Sequence, residues 1–255
     1  MFSDIAPGQI AMIYSIAAVL WLGILFYRHK FKRKTGMIFL FLSIASGFLL
    51  FAPMLPLQMQ GFISGRLQAA GHAPGKLAVG LGIFLIFTLI AGRVFCGYVC
   101  PIGALQEILY LIRSKKIKTQ NHIAPLIFRL LFFIAMIASA ALFSAELLSF
   151  TGVKQFFKLE YTSLYFYVFL FLMILSVFLY RVFCRFLCPF GLLLSLSSFK
   201  SLFKIQRNTN CNNCTICEKA CPTGETVPRS LGMECYMCNK CIDVCRVSGI
   251  DYDKY

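Results

Sequence analysis

The strongest chemical pattern in the sequence is a pair of cysteine runs close to its C-terminal end. The first run has the spacing C-x2-C-x2-C-x3-C-P, and the second repeats it with Arg246 in place of the proline. Soft thiolates suit iron and sulfide, and in two-cluster ferredoxins each run gives three ligands to one cube and its fourth cysteine to the other. We therefore predict two [4Fe-4S] clusters, one held by Cys211, Cys214, Cys217 and Cys245 and the other by Cys221, Cys235, Cys238 and Cys241. Repeated C-x2-C pairs also occur in structural zinc sites, but four ligands per zinc ion do not call for this spacing twice.

The remaining four cysteines lie in an internal repeat, in which Arg93–Gly103 matches Arg181–Gly191. Each copy contains a C-x3-C-P motif, formed by Cys96 and Cys100 in the first copy and by Cys184 and Cys188 in the second. Cysteines four residues apart share one face of a helix, whereas Pro101 and Pro189 favour the first turn of a new helix. We expect the four thiols to face one another. Three roles stay open: ligands of a further metal centre, a redox dithiol pair, or packing and partner docking.

The elements that carry these motifs are strongly apolar. Of the 255 residues, 59% are hydrophobic and only 14% are charged, which excludes an ordinary water-soluble globular domain. A helix crosses the hydrocarbon core with about 20 apolar residues. Five stretches qualify, namely Ile10–Tyr27, Met37–Leu57, Leu77–Phe95, Ile123–Leu148 and Leu164–Phe183.

The formal net charge of +15 is explained by orientation in a membrane and requires no nucleic acid. Positive residues cluster in the first connector (Arg28, Lys30, Lys32, Arg33 and Lys34) and in the third (Arg113, Lys115, Lys116 and Lys118). The positive-inside rule places both connectors in the cytoplasm. The N-terminus then lies outside and the cysteine-rich tail lies in the cytoplasm.

The predicted fold is mainly α, a polytopic membrane helical bundle with about five spans and a duplicated hairpin. We place this membrane domain at residues 1–204 and a small ferredoxin-like α+β domain with two [4Fe-4S] clusters at residues 205–255. The tail has too little apolar content for a large core, so we expect bound metal to stabilise it.

This combination of spans, paired C-x3-C-P motifs and a two-cluster tail resembles the NapH/NosR family of membrane-bound [4Fe-4S] ferredoxins, including PceC-like and CcoG-like relatives. The resemblance covers roughly Met37 to Val247 and carries the cysteine roles to the positions named above. It implies a multi-pass protein of the bacterial inner membrane that relays single electrons in anaerobic respiration. The implied partners are quinone or quinol, membrane lipid, and other redox subunits or soluble electron carriers. Two alternatives stay open, a CcoG-like copper reductase or maturation factor and a non-catalytic redox sensor or scaffold.

Other ionisable residues give weaker signals. The histidines His29, His72 and His122 lie away from the centres of the spans, so we expect no haem between two of them, and we find no flavin motif. Glu146 and Arg129 lie near opposite ends of the fourth span, where ionisable residues are functional candidates. Glu107 lies either beside the C-x3-C-P cysteines or exposed at the interface. Lys219, Lys240 and Arg246 lie among the tail ligands, either as surface charges or as groups that tune the clusters.

Overall fold

The computed structural model describes residues 7–50, 56–57, 59, 74–117, 123–143, 147–226 and 232–254. It is mainly helical with a small two-stranded sheet, which agrees with the predicted fold class. The α-helices of these residues are α1 (Pro7–Tyr27), α2 (Arg33–Leu50), α3 (Pro74–Ala91), α4 (Pro101–Leu111), α5 (Ile123–Phe143), α6 (Val153–Phe157), α7 (Leu164–Phe178), α8 (Pro189–Phe199), α9 (Ile216–Ala220) and α10 (Lys240–Asp243). Helices α1, α2, α3, α5 and α7 lie at the five positions where the sequence predicts spans.

Two of these helices are long and apolar enough to cross a membrane, Arg33–Leu50 and the segment Ile123–Leu142 of α5. Shorter apolar segments are Met12–Tyr27, Ala78–Ala91, Leu164–Phe178 and Pro189–Phe199. Large apolar side chains point outward, including Trp21 at 60% and Leu49 at 82% exposure. Such surfaces are stable in lipid rather than in water. These two helices are candidate spans by length and composition, and the five spans stay a prediction.

Helices α3 and α7 end four or five residues earlier than the sequence predicts. Gly92 follows α3 with φ of +73°, which a residue without a Cβ adopts at no steric cost. Leu179 turns extended after α7. In both copies the chain then forms one π-helical turn, π1 (Phe95–Val99) and π2 (Phe183–Leu187).

Each π-helical turn ends at the second cysteine of its C-x3-C-P motif. Cys100 and Cys188 have extended backbones, and Pro101 and Pro189 begin α4 and α8. The expectation that the prolines start new helices is confirmed. The alternative, two cysteines on one face of an α-helix, is wrong because proline has no N–H to continue the helical hydrogen bonds.

The two repeats pack with an approximate two-fold relation. Helix α2 packs on π1 and α4, and α5 packs on π2 and α8 in the same way. The Pro-initiated helices then exchange partners, since α4 packs on α7 and α8 packs on α3. This exchange brings the two C-x3-C-P motifs together at the centre of the bundle.

The tail begins with β1 (Phe203–Arg207), which pairs antiparallel with β2 (Ile250–Lys254) from Phe203 opposite Lys254 to Arg207 opposite Ile250. The strand thus starts two residues before the boundary that we predict at residue 205. The Tyr252 hydroxyl donates to the Ala91 carbonyl at 3.2 Å. The ribbon is therefore fixed against the end of α3.

Candidate iron–sulfur site

The two cysteine runs of the tail have the same backbone conformation. In each run the residues on either side of the second cysteine have positive φ, at Asn213 and Thr215 and again at Met237 and Asn239. Alternation of right- and left-handed residues turns successive N–H groups toward one concave surface, which binds anions and iron–sulfur clusters. A one-turn helix, α9 or α10, follows each loop and carries its third cysteine.

The tail cysteines divide into two sets around two cavities. One narrow cavity is lined by Cys211, Cys214, Cys217 and Cys245. A larger cavity of about 840 Å³ is lined by Cys221, Cys235, Cys238 and Cys241 among other residues. Each set contains three cysteines of one run and the last cysteine of the other, which is the arrangement that crossed ligation requires.

Within the described ranges, no three His, Cys, Asp or Glu side chains converge on a point that would hold one metal ion. A [4Fe-4S] cube has four separate iron atoms, and each takes one thiolate. Its ligands therefore surround a space rather than a point. Four cysteines, a lined cavity and inward-turned N–H groups fit such a cube.

The four C-x3-C-P cysteines are buried together, each with 7% exposure. Cys96, Cys184 and Cys188 are near enough to interact electrostatically, and Cys100 interacts with Cys96 and Cys188. Burial first, and then the neighbouring Cys96, raise the pKa of the Cys100 thiol to about 12. The predicted convergence of the four thiols is present in the fold.

Glycine at the end of each repeat permits this close packing. A Cβ on Gly103 would lie 2.5 Å from the Cys96 carbonyl oxygen, and a Cβ on Gly191 would lie 3.2 Å from that of Cys184. The Gly191 N–H also donates to the Cys188 sulfur at 3.2 Å. The first turn of each Pro-initiated helix thus lies directly on its π-helical turn.

Glu234 of the tail is inserted into the membrane domain beside these cysteines. Its carboxylate, 2% exposed, accepts from Arg129 Nη2 at 2.5 Å and from Ser195 Oγ at 3.0 Å. It lies 3.4 Å from Arg93 Nη1 and 3.8 Å from Arg185 Nε. Burial opposes ionisation of Glu234, but these three arginines outweigh it and hold its pKa below the ordinary value.

A second buried ion pair joins the two repeats to the tail through Glu107. Its Oε2 accepts from Arg181 Nε at 3.0 Å and from the Tyr180 hydroxyl at 2.5 Å, and its Oε1 lies 2.8 Å from Lys240 Nζ. Burial opposes ionisation, yet Lys240 and Arg181 lower the pKa of Glu107 to about 2. The expectation that Glu107 is exposed at the interface is wrong, because the side chain is buried. It interacts electrostatically with Cys238 of the tail, and its closeness to the C-x3-C-P cysteines stays a prediction.

Tyr236 lies where the tail meets both repeats. Its ring is stacked 4.1 Å below the Arg93 guanidinium and 4.8 Å from that of Arg181, and its hydroxyl donates to Glu234 at 3.2 Å. Gly97 of π1 allows the approach, because a Cβ there would lie 2.5 Å from the Tyr236 carbonyl oxygen. The loop that carries Cys235 and Cys238 therefore lies directly against the C-x3-C-P motifs.

Glu234, Tyr236 and the repeat arginines are site residues that are not predicted from the sequence. Arg93 and Arg181 occupy equivalent positions three residues before the first cysteine of each repeat, which is a signal available in the sequence. Lys240 is in the ion pair with Glu107 rather than a free surface charge. His29 lies in the connector between α1 and α2. His72, His122, Glu146 and Lys118 lie outside the described residues.

Comparison with known proteins defines the class. A family described as a 4Fe-4S binding domain matches residues 76–120 and 164–208. The chain is 33% identical to an uncharacterized protein of Methanocaldococcus jannaschii over 190 residues, which cover 70% of this chain and 79% of that protein. A second uncharacterized protein of the same organism is 33% identical over 178 residues, 68% of this chain and 69% of that protein. The ferredoxin-type protein NapH of Haemophilus influenzae is 26% identical over 206 residues, 72% of this chain and 70% of NapH. No solved structure matches the chain.

The cysteine sets and these similarities together define an iron–sulfur protein of the ferredoxin type with a role in electron transfer. Proteins named NosR, NirI and MauN also match. The chain belongs to the NapH/NosR-type ferredoxin family.

Proposed function

We propose that the protein relays single electrons between the quinone pool of the bacterial inner membrane and partner redox proteins. The group that would supply this chemistry is the [4Fe-4S] cluster, which accepts and donates one electron at a time. We assign Cys211, Cys214, Cys217 and Cys245 to one cluster and Cys221, Cys235, Cys238 and Cys241 to the second. The observation that carries the proposal is the division of the eight tail cysteines around two cavities.

We place the second cluster set nearest the membrane domain. Glu234 precedes Cys235 and contacts Arg129 of α5. Tyr236 follows Cys235 and contacts Arg93 of the first repeat. Lys240 precedes Cys241 and is paired with Glu107 of α4. These contacts hold the 235–241 loop against the bundle, whereas Cys214 of the other set is exposed. The set with the exposed Cys214 suits exchange with a soluble partner, and the set held against the bundle suits exchange with the membrane.

We further propose that all five apolar helices cross the membrane, with the N-terminus outside and the tail in the cytoplasm. The positive residues of the α1–α2 connector and the direct contact of the tail with the ends of α3 and α7 support this orientation. A reporter that fluoresces only in the cytoplasm, fused after Tyr255, should fluoresce. The same reporter at the N-terminus should stay dark.

Anaerobic reduction of the purified protein by a quinol analogue, followed by EPR, tests the electron relay. We expect reduced [4Fe-4S] signals from the tail clusters, and these signals should disappear when Cys238 is replaced by Ser, because that set lies against the bundle. Replacement of Lys154, an exposed residue of α6, serves as a control and should leave the signals unchanged. Clusters that dithionite reduces but quinol does not would contradict the quinone relay and favour a sensor or scaffold.

A further inference from the structure

Four arginine side chains are buried around the C-x3-C-P cysteines. All have 1% exposure or less, namely Arg93, Arg129, Arg181 and Arg185. Arg93 interacts electrostatically with Cys96, Arg181 with Cys184, and Arg129 with Cys188. Guanidinium groups stay charged in proteins, so this part of the bundle holds four fixed positive charges.

The buried carboxylates in contact with these arginines balance only half of that charge. They are Glu107 and Glu234, with 5% and 2% exposure, and Lys240 at the rim adds a further positive charge beside Glu107. Isolated buried charges are very costly unless they are paired. The four arginines and two glutamates leave an excess of about two positive charges that requires a buried anionic partner.

Several guanidinium N–H groups of these arginines also lack a hydrogen-bond acceptor. Among the described residues, Nε and Nη2 of Arg93, Nε of Arg129, and Nε and Nη2 of Arg185 have no hydrogen-bond partner. Buried donors of this kind are rare because each unpaired group has a substantial desolvation cost. Arg93 and Arg129 interact electrostatically with Cys96 and Cys188, and Arg185 directly follows Cys184, so we assign the missing acceptor to the cysteine site.

Charge distinguishes the three roles of these cysteines. Four thiols packed as apolar groups are neutral, and a pair of disulfides is also neutral, so neither balances the arginines. Four thiolates around a [4Fe-4S]²⁺ core carry two negative charges in total. Ligation breaks four S–H bonds, forms four Fe–S bonds and releases four protons. The resulting dianion matches the excess of positive charge, and its sulfurs accept hydrogen bonds from the arginines.

We infer that Cys96, Cys100, Cys184 and Cys188 hold a third [4Fe-4S] cluster, enclosed by the four buried arginines. This inference rests on the proposed iron–sulfur function and extends it to the membrane domain. The family match supports it independently, because residues 76–120 and 164–208 contain these four cysteines and none of the eight in the tail.

Iron and acid-labile sulfide, counted on the anaerobically purified full chain, test the inference. We expect about twelve iron atoms and about twelve sulfides per chain, four of each per cluster. The double variant Cys96→Ser/Cys184→Ser should lose about four of each and keep the EPR signals of the tail clusters. Eight irons in the unmodified protein, or one zinc ion with eight irons, would overturn the inference. Quinol reduction of the tail clusters is scored separately, so failure of the relay and failure of the third cluster are distinguishable.

A second variant avoids the risk that the double cysteine variant does not fold. Arg185 has the longest contact to Glu234 and an unpaired Nη2, so Arg185→Gln should keep the tail attached. Removal of a positive charge should lower the midpoint potential of the third cluster more than that of either tail cluster. The matched control is Arg207→Gln, because Arg207 Nη2 lies 3.9 Å from the Cys217 sulfur and its loss should lower the potential of a tail cluster instead. The assignment would be contradicted if both variants shifted the midpoint potential of the third cluster equally, or if Arg185→Gln did not shift it.

Discussion

Replacement of Glu234 by Gln should release the tail from the membrane domain. The glutamine keeps the size of the side chain and an acceptor for Ser195, but it removes the negative charge that Arg93, Arg129 and Arg185 share. Removing one partner of a buried ion pair costs about 3–5 kcal/mol, since the other charges stay buried and unpaired. Because about 1.4 kcal/mol is a factor of ten, the attached state should weaken roughly a hundred- to several-thousand-fold.

Hydrogen–deuterium exchange measures this effect in the full protein in detergent. The backbone amides of residues 232–239 should lose two to three orders of magnitude of protection, while those of α5 change little. Glu218→Gln is the control. Glu218 directly follows the cluster cysteine Cys217, as Glu234 directly precedes Cys235, and it pairs with Arg207 at 2.5 Å. The side chains of Arg207 and Glu218 are 20% and 25% exposed, so loss of this ion pair should cost less than about 1 kcal/mol. If both variants exchange alike, Glu234 does not hold the tail in place.

Three further predictions concern the packing, the second carboxylate and the crossed ligands. Gly97→Ala places a Cβ 2.5 Å from the Tyr236 carbonyl oxygen and should destabilise the protein by about 1–3 kcal/mol in thermal unfolding; Gly82→Ala, with no atom within 4 Å, should be neutral or stabilising. The lowered pKa of Glu107, about 2 against an ordinary 4.5, means that its contribution to stability is fully present above pH 4.5 and is lost as the pH falls toward 2. Unfolding of the protein at a series of pH values should therefore show no effect of this carboxyl between pH 8 and 5, and a loss of its contribution that begins above pH 5 would contradict the ion pair. Cys245→Ser should abolish the same EPR signal as Cys211→Ser, whereas Cys221→Ser should abolish the other; a shared signal for Cys221 and Cys211 would contradict crossed ligation.

Sequence patterns predict the positions of the helices well because each apolar run is long and bounded by charge or glycine. The helix starts at Pro101 and Pro189 follow from proline chemistry alone, and the gathering of the four repeat cysteines follows from the duplication. The π-helical turns do not follow, because their hydrogen bonds depend on how α4 and α8 pack against the opposite repeat. Residues whose partners are distant in sequence are missed for the same reason. In the sequence, Glu234 is only a charged residue before a cysteine. Its partner Arg129 is 105 residues away and is brought into contact with it by the fold.

The exchange of partners between the repeats has an evolutionary consequence. Since α4 also needs α7 and α8 also needs α3, neither half alone covers all of its own Pro-initiated helix. A single unduplicated copy would have left one side of that helix exposed, and its two cysteines would have been half of a ligand set. An ancestor of one copy could thus have completed its core and its site only as a symmetric homodimer. In the duplicated chain the two copies need not be identical, and they differ at the site of tail contact, where Gly97 admits the tail and Arg185 stands at the equivalent position.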